Sequence, residues 1–116
     1  MTPEGRIVKH FIKECERRGW EQRKLSYEGR VGAPDRLLLA PGYHALIEFK
    51  AYGQVPTAMQ VREHIKLRRS GMEVFVCDTL DSLKALMTHA TARVEAAGYP
   101  VSTHVAVTRR VGGKER

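Results

Sequence analysis

The chain has 116 residues, 42% hydrophobic and 28% charged, which fits one globular domain and excludes an intrinsically disordered chain. Twenty Lys and Arg against thirteen Asp and Glu leave a formal net charge of +7, favouring an anionic partner, nucleic acid ahead of a membrane surface. No apolar run approaches the ~18 residues that span a bilayer, and the isolated Cys15 and Cys77 exclude a zinc motif or a disulfide framework.

In chain order, Thr2-Pro3-Glu4 opens the first helix. Thr2 can cap it, Pro3 suits its first position and Glu4 complements the positive end of its dipole. Ile7, Val8, Phe11, Ile12 and Cys15 recur at helical spacing, and Gly19 is the expected stop. Met1 to Gly5 lacks the apolar stretch of a signal peptide, so a reducing cytoplasm is the expected compartment. Trp20 to Tyr27 reads weakly as a strand, with Trp20 expected in the core, and a glycine-bearing loop follows at Glu28 to Ala33.

Arg36 to Ala40 and His44 to Lys50 read as two strands joined by a tight turn at Pro41-Gly42. Their nearly continuous apolar runs predict cover on both faces. A second helix starts at Thr57 and ends near Ser70-Gly71, and Glu73 to Cys77 reads as a buried strand. Asp78 or Thr79 then caps a last helix that ends near Gly98. The order α-β-β-β-α-β-α predicts an α/β sandwich with a mixed sheet, in which residues 44 to 77 form a right-handed crossover. The domain is expected over residues 1–98, with 99–116 a basic, loosely ordered tail.

The chemistry concentrates between Gly32-Ala33-Pro34-Asp35 and Glu48-Phe49-Lys50. In a strand, residues two apart share a face, so Glu48 and Lys50 point together while Ala45, Ile47 and Phe49 point into the other layer. Asp35 begins the neighbouring strand, where a hairpin can bring it opposite Glu48. Two carboxylates there would make an oxygen site suited to Mg²⁺ or Mn²⁺, with a lysine at hand for a phosphate. Ordinary turn chemistry at Pro34-Asp35 and a solvated edge for Glu48 and Lys50 are the competing explanations. Charges inside an apolar run are costly unless they are exposed or bind something, which tilts the balance towards function.

Gln60 has two readings. It completes a capping box with Thr57, and it can reach the Lys50 end of the strand to orient a nucleophile. Glu4 has a dipole role and a longer reach to the same metal. Arg62, Lys66 and Arg69 form a basic helical stripe that suits either solvent or a phosphate backbone. The five histidines, His10, His44, His64, His89 and His104, show no ligand spacing and are expected at surface or packing positions.

Glu4, Gly32-Ala33-Pro34-Asp35, Glu48-Phe49-Lys50 and Gln60, with Leu67, Gly71 and Val74-Phe75-Val76 behind them, resemble the VRR-NUC group of PD-(D/E)xK nucleases across roughly residues 2 to 85. The resemblance is to short, stand-alone, phage-type members, which act in a bacterial host cytoplasm. It implies a restriction-endonuclease-like fold and Mg²⁺ or Mn²⁺ held by Asp35, Glu48, the Phe49 main-chain carbonyl and Glu4. It further implies Lys50 and Gln60 as the catalytic pair around the attacking water. A homodimer resembling Holliday-junction resolvases and cutting branched or four-way-junction DNA is the implied assembly. The middle residue of the Glu-x-Lys triplet is often valine in that group and is Phe49 here. A non-catalytic basic nucleic-acid-binding module and a sequence-specific restriction-type endonuclease are the alternatives.

Overall fold

The computed structural model describes residues 1–99. The elements are α1 (Pro3–Arg18), β1 (Glu21–Lys24), β2 (Arg36–Ala40), β3 (Tyr43–Phe49), α2 (Ala58–Arg69), β4 (Glu73–Cys77) and α3 (Leu80–Ala96), the order expected from sequence. Beyond Tyr99, the tail expected over 99–116 lies outside the described residues.

The boundaries follow local chemistry. The Thr2 side chain accepts from the Gly5 amide at 2.9 Å, and Gly19 ends α1 in the left-handed region with φ 73°. Thr57 caps α2 and Thr79, not Asp78, caps α3, each closed by a capping box. The strands lie in the order β1-β2-β3-β4. The first three are antiparallel neighbours, and β4 runs parallel to β3, as a strand-helix-strand crossover requires.

The pleat of β3 decides where the core sits. Tyr43, Ala45, Ile47 and Phe49 point to one layer, where Ile7, Phe11 and Cys15 of α1 and Leu83, Leu86, Met87, Ala90 and Val94 of α3 close over them. Phe11 and Phe49 meet with ring centroids 5.5 Å apart, and Trp20 is buried in the same cluster, as expected. Helix α3 is also tied to the sheet by polar bonds. Glu73 accepts from Tyr43 Oη at 2.6 Å, pairs with His89 Nε2 at 2.8 Å and receives the Arg93 guanidinium. Among the described elements, α2 covers the opposite face of β3 and β4.

That single cover corrects two expectations. Among the described residues β4 is an edge strand rather than a buried one, and Val76 remains 36% exposed. Leu37 and Leu39 stay partly exposed, since α2 does not extend across β2. The weak first strand is also shorter than read, confined to Glu21–Lys24.

The β2–β3 turn needs a residue without a side chain. Gly42 has φ 69°, and a Cβ there would stand 2.8 Å from Ala97 Cβ and 2.9 Å from Tyr99 Cε2. Strain and overlap act together, so Gly42→Ala is expected to lower stability by more than about 1 kcal/mol. Urea unfolding measures this, and an unchanged midpoint would refute it.

Candidate active site

The site begins with a loop held from above. Residues 25–35 run from β1 to β2 beneath α2, whose buried Glu63 accepts from Tyr27 Oη at 2.7 Å and from Arg30 Nη2 at 2.8 Å. Tyr27 is thereby part of a latch between the loop and α2. Gly32, with φ 97°, brings the loop close to α2. A Cβ there would meet the Met59 carbonyl oxygen at 3.2 Å. Pro34 is fully buried, and the Asp35 amide donates to the Ile47 carbonyl at 2.9 Å. One step beyond the Arg36–Ile47 pair, Asp35 lies across from Glu48. The two acids meet as the pleat and hairpin predict, although Asp35 Oδ2 is engaged by the Phe49 amide at 2.7 Å.

Glu48 is 2% exposed. Its parity sends it away from the apolar core and under α2, where polar groups receive it. Gln60 Nε2 donates to Oε2 at 3.1 Å, and Lys50 Nζ lies 3.6 Å from the same oxygen. Oε1 has no hydrogen-bond partner, and neither has its neighbour His64 Nε2, 3.8 Å away. Burial, and then the nearby Asp35 charge, push the Glu48 carboxyl up to about 7, against the opposing pull of Lys50. Burial, and then Arg68, lower the His64 pKa, favouring the neutral imidazole.

Gln60 completes the expected capping box, and the same side chain reaches the site strand. Its Oε1 accepts from the Thr57 amide at 2.9 Å, completing the capping box, while its Nε2 grips Glu48. One amide side chain therefore starts the helix and orients the acid.

Glu4 is not joined to this group. α1 packs on the core face of the sheet, the side Glu48 faces away from. Among the described residues no three His, Cys, Asp or Glu side chains come together as a metal-holding set. The Phe49 ring is in the core while its main chain closes β3, with its amide on Asp35 Oδ2, so the large side chain does not enter the site. Arg62, Lys66 and Arg69 are exposed along α2. Arg62 and Lys66 line an open cleft of about 420 Å³ between α2 and the loop, together with Arg30, Val31 and Met59.

His64 is the site residue that sequence reading placed elsewhere. It lies four residues after Gln60, one helical turn on the same face, and that spacing was the available signal. The fit to a divalent cation rests on the unpartnered, buried Glu48 oxygen and the second carboxylate across from it. An ionised acid so placed is costly without a positive partner.

A mixed sheet between two helices on one side and one on the other, with Asp, Glu and Lys at the end of its central hairpin, defines a restriction-endonuclease-like domain. A solved structure described as "VRR_NUC domain" matches it with TM-score 0.71 and 40% identity, covering 77% of this chain and 98% of that chain. The chain is also 40% identical over 82 residues to "Putative nuclease p44" of Acyrthosiphon pisum secondary endosymbiont phage 1, covering 70% of this chain and 88% of that protein. No protein-family model matches. The chain belongs to the VRR-NUC family of nucleases.

The raised Glu48 pKa has a measurable consequence in metal-free protein. The folded state holds this proton up to about pH 7, whereas an unfolded Glu releases it near ~4.3. The resulting stabilisation is complete below the unfolded value and is lost as pH rises through the folded one. In EDTA, wild type and Glu48→Gln are therefore expected to melt alike near pH 4.5, with wild type falling progressively below the variant by pH 8. Parallel melting profiles across that range would refute the shift.

Proposed function

We propose that the domain is a metal-dependent DNA endonuclease that hydrolyses phosphodiester bonds and prefers branched or four-way-junction DNA. The observation that carries this is the Glu48 carboxylate, buried with one oxygen unpartnered, across from Asp35 and beside Lys50. Asp35, Glu48 and the Phe49 carbonyl would hold Mg²⁺ or Mn²⁺ here. Such an ion polarises a phosphoryl oxygen and lowers the pKa of bound water.

The chain's own groups do the rest. Lys50 carries a positive charge beside Glu48, where it can face a scissile phosphate and offset charge developing on it. Gln60, with its carbonyl on the cap and its amide on Glu48, keeps the acid oriented at the place where Lys50 and Gln60 would flank the attacking water. The cleft beside α2, with Arg62 and Lys66 at its rim and Arg69 further along the helix, suits a phosphate backbone. Val61 and Ile65, 44% and 43% exposed one turn apart on α2, support pairing with a second copy. Among the described residues no helix is long and apolar enough to cross a membrane.

A cleavage panel of duplex, flap, splayed and four-way-junction DNA with Mg²⁺ or Mn²⁺ tests the reading. Glu48→Ala and Lys50→Ala are each expected to lose at least ~10²-fold in rate with folding intact. Binding without cleavage on every substrate and metal would overturn it in favour of a non-catalytic module.

Replacing Arg62, Lys66 and Arg69 together by Ala is expected to weaken DNA binding. The salt slope should flatten by about 0.9 for each phosphate that the three side chains neutralise. An unchanged slope in a fluorescence-anisotropy titration would remove the stripe from the substrate path.

A further inference from the structure

Two buried polar atoms in this fold face one another with neither satisfied. Glu48 Oε1 and His64 Nε2 both lack a hydrogen-bond partner, and they stand 3.8 Å apart. Each residue is only 2% exposed. An unpaired buried polar group ordinarily costs about 1–3 kcal/mol, and two side by side make a coincidence of packing a poor explanation. The separation is too long for a hydrogen bond, which needs about 2.9 Å. A local side-chain adjustment of about 1 Å would close it.

The two α2 residues that face Glu48 come from one helix face. Gln60 and His64 are one turn apart on α2, and Gln60 already donates to Oε2 at 3.1 Å. The helix therefore offers one donor to each carboxylate oxygen. Buried Glu63, between them in sequence, is turned instead to Tyr27 and Arg30, so it does not compete for the imidazole.

We propose that His64 is a positioning residue for Glu48: with its proton on Nε2, the imidazole holds Oε1 as Gln60 holds Oε2. The carboxylate is then gripped on both oxygens from the α2 side. Its remaining lone pairs are aimed at Asp35 and the end of β3, where a cation would be held. A ligand fixed in this way loses little freedom on binding, and removing such an outer hydrogen-bond partner typically costs 10- to 100-fold in metal affinity. This inference rests on the metal-binding reading of the same site.

The test is calorimetric titration of Mn²⁺ into wild type, His64→Leu and His64→Gln, with melting of each in EDTA. Leu keeps the bulk and removes the donor, whereas Gln returns an amide N–H near the Nε2 position. His64→Leu is expected to bind Mn²⁺ 10- to 100-fold more weakly, and His64→Gln to recover most of that loss at comparable melting temperature. Should Leu not fold, His64→Asn takes its place, since its shorter amide falls short of Oε1.

Equal Mn²⁺ affinity in wild type and His64→Leu overturns the proposal while leaving the metal site intact. Wild type that binds no Mn²⁺ overturns the metal-binding reading and this proposal together. Electron spin echo modulation from imidazole nitrogen on bound Mn²⁺ would make His64 a direct ligand, and would overturn the positioning role.

Discussion

Burial of the Glu48 carboxylate under α2 is the constraint on which the rest of the site depends. A β3 residue of this parity must face away from the apolar core formed with α1 and α3, and an ionisable group there demands polar company. The helix above supplies it. α2 buries Glu63 and His64 rather than Leu or Ile, and Gln60 meets Glu48 directly. The energetics are divided between the faces of one sheet. One side is closed by apolar contact, while the other buries only Leu46 and Val74 and adds directed bonds around Glu48, whose pKa is raised to about 7.

The same helix organises the second acid. Asp35 would be an ordinary turn residue if its loop were free, but Glu63 binds Tyr27 and Arg30 of that loop, and Gly32 allows the backbone to lie close to Met59. Hydrogen bonds from the Asp35 amide to Ile47 and from Leu25 to the Asp35 carbonyl then fix the main chain on both sides. The cleft with Arg62 and Lys66 at its rim has the same two walls, loop and helix. Site and cleft cannot be displaced independently.

Much of this was legible in the sequence because it depends on short periods. Two-residue alternation separated Glu48 and Lys50 from Ala45, Ile47 and Phe49, and the Pro41-Gly42 turn set the pairing that brings Asp35 across from Glu48. Capping residues marked α1 and α2 to within a residue. What escaped was set by how far one helix reaches over a sheet. Apolar runs in β2 and β4 could not reveal that α2 covers β3 and only part of β4, leaving Leu37, Leu39 and Val76 exposed to differing degrees. The face of the sheet that α1 covers was hidden for a related reason. Which face α1 packs on follows from tertiary contact, not from its own residues. His64 escaped because ligand spacing was sought among histidines, whereas its partner on the helix is a glutamine.

α2 is built against the usual rule for a surface helix, and this bears on how the site can behave. Its buried positions are polar, while Met59, Val61 and Ile65 are 49%, 44% and 43% exposed. Of the buried apolar side chains only Leu46 and Val74 lie on its face of the sheet, and its attachment is completed by the Thr57 capping box, the Glu63 latch, the bond from Arg68 to the Val74 carbonyl at 2.7 Å, and the Glu48 contacts. Directed bonds of this kind are individually worth about 1 kcal/mol and weaken together when one partner moves. A group that neutralises Glu48 therefore acts on the seating of the helix as well as on the acid. The exposed Val61 and Ile65 lie on this same helix, so its outer face and the Glu48 contacts share one support.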